Sequence, residues 1–184
     1  MEVVLVPVGA VVLWALLTYN AFVRKRNRCR TAFSSIDVNL KKRHDLIPNI
    51  VGAVKGYMKH EAEVLERVTQ LREQARGMAG DDGGRASVER EIGLCLGLIN
   101  ARVEAYPELK ASEHVMHLQR TLTEIEEQIS AARRAYNAAV ESFNNGVEMF
   151  PSKIIAGMMG LSTMRFFEAV EADRLPVQVQ MADR

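Results

Sequence analysis

The sequence predicts an all-α protein: an N-terminal transmembrane helix continuing into an elongated antiparallel bundle of three to four long, coiled-coil-like helices. Three observations carry this. Residues 3–23 contain no charged side chain. Most of the chain beyond residue 23 repeats its apolar residues at three- and four-residue intervals, the period of one helix face. Only the short stretch 175–179 alternates apolar and polar residues as a half-buried strand does. Composition agrees, for of 184 residues 48% are apolar and only 6% aromatic, with 12 Gly and 5 Pro. That excludes collagen-like and disordered classes and favours helix over sheet. The length holds one domain and a short appendage, here a membrane anchor at 1–23 and a helical-bundle domain at 24–184.

The first element is the run VVLVPVGAVVLWALLTYNAFV, from Val3 to Val23. At about 1.5 Å per residue its 21 residues span roughly 30 Å, the thickness of a hydrocarbon core. A cleaved signal peptide has positive charge before its apolar run, whereas here Glu2 precedes and RKRNRCR comes after. The positive-inside rule then holds residues after the span in the cytoplasm and leaves the N-terminus outside. Arg24, Lys25, Arg26, Arg28 and Arg30 are the expected contacts for anionic lipid headgroups. Formal net charge is +1, but eight of the 24 basic residues fall in 24–43 beside one acid, Asp37. The remaining 16 basic residues face 21 acidic ones over 44–184, which argues against a nucleic-acid partner.

Between Phe33 and Ala75 apolar residues recur at 33, 36, 40, 47, 50/51, 54, 57/58, 64/65, 68, 71 and 75. This stripe predicts a long helical stem, about 80 Å if 24–76 is mostly helical, in a rod-like domain standing end-on to the membrane. Pro48 predicts a kink near 44–48, a hinge at which Asp45 caps the resumed helix. Gly77 should stop the stem, and GMAGDDGG at 77–84 reads as a loop. A shorter helix then runs through Val88, Ile92, Leu96, Ile99 and Val103, closed by Pro107, with Gly93 and Gly97 expected to allow close packing. The strongest period runs 115, 118, 122, 125, 129, 132, 136, 140, 143, 147 and 150, a coiled-coil seam with one stutter. Ser112 should cap its start and Pro151 stand just past its end. Leu122, Ile125, Ile129, Tyr136 and Phe143 are the expected self-association seam. Residues 153–172 read as a last amphipathic segment, broken at Gly157 and Gly160.

A search for chemistry nominates no catalytic residue, cofactor or metal site. His114 and His117 lie one turn apart without a third ligand, and His60-Glu61 lacks the second histidine of a zinc-protease helix. His44, on the apolar stripe, reads as a core imidazole. Cys29 and Cys95 have neither CxxC nor metal spacing. GxGxxG, GxxxxGK[ST] and GxSxG are all missing.

The segment YNAFVRKRNRCRTAFSSIDVNLKKRHDLIPNIVGAVKGYMKHE at 19–61 closely resembles the LemA family of bacterial membrane proteins. AYPELKA at 105–111, HLQRTLTEIEEQISAARRAYN at 117–137, FN at 143–144, FP at 150–151, FFE at 166–168 and the closing LPVQV extend the resemblance over nearly the whole chain. Phe33 stands where the family often has Trp and Phe143 where Tyr is usual; both keep an aromatic anchor. The resemblance implies an N-terminal anchor in the bacterial cytoplasmic (inner) membrane, a cytoplasmic bundle and no established catalysis. With the seam, it leads to a non-enzymatic scaffold whose partners are the lipid bilayer and further copies of itself. The alternative is a membrane-tethered adaptor that recruits a protein partner or regulates an envelope protease.

Overall fold

The structure is a computed structural model describing residues 2–78 and 83–167, with side chains from residue 6 onward and, after the interruption, from Gly84. The LPVQV stretch and parts of the expected 77–84 loop and 153–172 segment lie outside these residues. Among the described residues all regular structure is helical: α1 (Glu2–Val54), a 3₁₀ turn (Lys59–Glu61), α2 (Ala62–Arg76), α3 (Gly83–Val103), α4 (Pro107–Lys110), α5 (Glu113–Glu148) and α6 (Ser152–Met158). They gather into two compact units, 2–43 with 121–167 and 44–78 with 83–120, so that α1 and α5 contribute to both.

In the first unit the residues of α1 that point inward follow a seven-residue repeat, Phe22, Cys29, Ile36 and Arg43, supplemented by Leu40. Successive contacts pair them with descending positions on α5, so the two helices run in opposite directions. The Phe22 and Phe143 rings meet edge-on with centroids 6.2 Å apart, Phe33 and Tyr136 at 5.6 Å, and further along Arg43 Nη1 donates to Glu126 Oε1 at 2.8 Å. The helices approach closely at Gly146, where a Cβ would lie 2.9 Å from the Phe22 ring. Each fully buried Leu, Ile or Phe in this seam contributes about 1.5–3 kcal/mol of transfer free energy.

α6 folds back at the end of α5, after a cis Phe150–Pro151 peptide. The Ser152 hydroxyl fixes this turn by donating to the Gly146 carbonyl at 2.7 Å. Gly160, at φ +62°, ends α6: its N–H donates to Gly157 O and the Leu161 N–H to Ala156 O, the paired bonds of a Schellman motif. Of the two expected breaks, the one at Gly157 is corrected, since it lies within α6, whereas Gly160 does end the helix and 161–167 are not helical. They lie along α5 instead. Asn144 accepts from the Met164 N–H and donates to its carbonyl, and Asn137 treats Phe167 in the same way. Seven residues of helix rise about 10.5 Å, and three extended residues cover about 10 Å, so the spacings match.

In the second unit α2 and α3 form a helical hairpin around Leu65, Val68, Leu71, Ile92, Leu96 and Ile99. Gly77 ends α2, as its position predicts. Pro107 opens α4 at its first turn, where the missing N–H has no helical partner to lose. The Val115 N–H reaches Ser112 Oγ at 3.4 Å, so Ser112 caps α5. Two expectations are corrected here. α1 is unbroken through Asp45 and Pro48, leaving no helix start there for Asp45 to cap, and the stem is instead interrupted between Val54 and Ala62. There Gly56 loosens the backbone while Met58, fully buried, anchors the turn. Gly97 is exposed with open space where a Cβ would stand, so it makes no close approach.

Candidate functional sites: an apolar anchor, its basic exit and a braced proline

The N-terminal part of α1 is apolar and bare. Val6 is 75% exposed, Val11 63%, Leu13 59% and Leu17 57%, and only 6% of the most apolar stretch is buried. α1 is the one helix among the described residues long and apolar enough to cross a membrane. Such surface is costly in water, and its exposure on several faces of one helix is what lipid, rather than a protein core, accommodates.

Arg24, Arg26, Arg28 and Arg30 are exposed around the end of this run. Lys25 differs, being half-buried with its Nζ donating to the Ser142 carbonyl at 2.7 Å. Four cations thus project outward while the fifth ties α1 to α5. The expected seam residues Leu122, Ile125, Ile129, Tyr136 and Phe143 are all buried within the chain, with Tyr136 and Phe143 against Phe33 and Phe22. This stripe is covered by the chain's own α1, and surface open to another copy lies elsewhere, as on α3, where Leu94 and Leu98 are exposed beside Gly97.

Pro48 is braced from a distance. Lacking an N–H, it leaves the His44 carbonyl without its helical donor. Arg72 Nε on α2 supplies one at 2.7 Å, and its Nη1 bonds Glu73. On the other side of the same turn, His44 Nε2 stands 2.9 Å from Glu89 Oε1, both side chains buried. Sequence pattern places His44 in the core but gives no sign of Arg72 or Glu89, which come from other helices.

The remaining polar groups hold helices together. Tyr106 donates to Glu61 Oε2 at 2.9 Å, and this bond to a carboxylate raises the phenol pKa. Cys29 and Cys95 are free thiols whose pKa values burial raises, with Glu91 adding to the effect at Cys95. Beside α2 a groove of about 600 Å³ is lined by Val51, Met58 and Leu65 with Lys55, Lys59 and Glu66. Among the described residues no three His, Cys, Asp or Glu side chains are grouped to hold a metal.

The sequence pattern of the LemA family matches residues 32–181. The chain is 28% identical over 158 residues to Protein LemA of Metamycoplasma hominis, covering 86% of this chain and 72% of that relative. It is 23% identical over 202 residues to Magnetosome protein MamQ 2 of Paramagnetospirillum magneticum, covering 96% and 74%. With Magnetosome protein MamQ of Magnetospirillum gryphiswaldense it shares 22% identity over 187 residues, covering 88% and 69%.

Proposed function

Because the chain belongs to the LemA family, we propose that it is a non-enzymatic helical scaffold, anchored in the bacterial cytoplasmic membrane by residues 1–23, that associates with copies of itself and organises the membrane around it. The observation that carries this is the exposure of the apolar side chains of α1 from Val6 to Leu17. Arg24, Arg26, Arg28 and Arg30 at the end of the run support an orientation with the bundle in the cytoplasm, contacting anionic headgroups. The likeness to magnetosome proteins fits a role at a membrane-bounded structure. Self-association is supported by Leu94 and Leu98, apolar and exposed on α3.

Crosslinking in intact membranes tests the scaffold directly. Homotypic adducts are expected, and their loss in Leu94→Lys/Leu98→Lys would place the contact on α3. One dominant adduct to a different protein would instead identify a tethered adaptor. A reporter fused after Arg184 should be active on the cytoplasmic side.

A further inference from the structure

We infer that α6 and the turn before it form a second membrane contact, lying in the headgroup–acyl boundary beside the point where α1 leaves the bilayer. This contact requires α1 to span the membrane but not that the bundle face one particular side.

The first unit supplies the geometry. Position 146 is level with Phe22 and Lys25, since a Cβ there would touch both. α5 runs opposite to α1 and ends at Glu148, and the Met149 N–H still donates to the Asn145 carbonyl, so Met149 lies about 4.5 Å beyond position 146, level with about Tyr19. That is inside the uncharged run, which ends at Val23. Trp14, Ala15, Thr18 and Ala21 form a half-buried stripe on one face of α1, whereas Leu13, Leu16 and Leu17 on its other faces are exposed.

What the chain presents at this level is apolar and bare. Phe150 and Met158 are each 81% exposed, and Ile154 and Met149 are also exposed. Ile154 and Met158 lie one turn apart on α6 and so share a face, Phe150 is exposed in the turn before the helix, and Ile155 and Ala156 are buried. Lys153 is exposed between them, able to lay its stem along the acyl boundary and its ammonium among phosphates, and the four exposed arginines of the α1 exit supply the same charge. The exposed apolar side chains of this turn and of α6 thus begin at the level of the span, and the occupant that fits both is the lipid surface.

Bromine-labelled acyl chains test this on the full-length chain in phosphatidylcholine–phosphatidylglycerol bilayers. Trp14, the one tryptophan, reports on the span itself. In a Trp14→Phe background, Phe150→Trp and, separately, Met158→Trp report on α6, the second guarding against disturbance of the turn at Pro151. Both new indoles should emit at blue-shifted wavelengths, with quenching at least half as large as that of Trp14. Quenching of Trp14 alone overturns the α6 contact and leaves the span standing. Blue-shifted but unquenched emission at 150 and 158 overturns it too, by showing a protein surface covering them. If Trp14 is itself unquenched, the anchor and the contact fall together.

Discussion

Arg72 and Gly146 each do something at a single position that helix periodicity does not encode. Arg72 stands in for the donor that Pro48 lacks, so its contribution depends on the proline. Arg72→Ala should cost about 1.5–3 kcal/mol in urea unfolding, the range for a hydrogen bond to a charged donor. In a Pro48→Ala background, where residue 48 can donate to the His44 carbonyl itself, the same substitution should cost measurably less. Additive losses in the double-mutant cycle would show that Arg72 acts through Glu73 instead. At Gly146 two effects oppose. Alanine favours a helix by about 1 kcal/mol over glycine, but its Cβ would lie 2.9 Å from a ring that is buried against Phe143. Overpacking costs about 1–3 kcal/mol, so Gly146→Ala should lower the midpoint of thermal unfolding, whereas Gly52→Ala, with open space around it, should not.

Whole elements differ in how far local sequence defines them. The starts and stops at Gly77, Pro107 and Ser112 are legible because their chemistry is local: a glycine or proline interrupts the helix, and a hydroxyl three residues ahead caps one. The break between Val54 and Ala62 escapes the apolar stripe, which passes over it, although Gly56 and the six-residue gap from Met58 to Val64 mark it. The seam of α5 is legible as a buried stripe, yet periodicity cannot name its partner, and the partner is α1. Least legible is 161–167, which owes its extended course to Asn137 and Asn144, 30 residues from Phe167 and 20 from Met164 respectively. Asn144→Ala removes both bonds to Met164 and should raise hydrogen exchange at the Met164 amide by orders of magnitude, leaving the Phe167 amide protected by Asn137. Unchanged protection at Met164 would mean that packing, not the asparagine pairs, holds the segment. Arg43 adds a charge to the α1 seam and meets Glu126; a polar pair inside an apolar seam fixes register more than it adds stability.

At the scale of the molecule, the bare apolar run at the start of α1 outweighs every local feature, because the described chain leaves most of it exposed. The same feature is legible in the sequence, as 21 uncharged residues with arginines directly after them. The surface on which the proposed self-association rests is not legible in that way, since only the folded chain reveals that Leu94 and Leu98 are exposed. Flotation with liposomes after an alkaline carbonate wash decides whether α1 is an anchor. The full-length chain should remain in the floating lipid fraction at high pH and high salt, because its retention is hydrophobic rather than electrostatic, while a chain lacking residues 1–23 should be released. Release of the full-length chain into the soluble fraction would contradict membrane anchoring by α1.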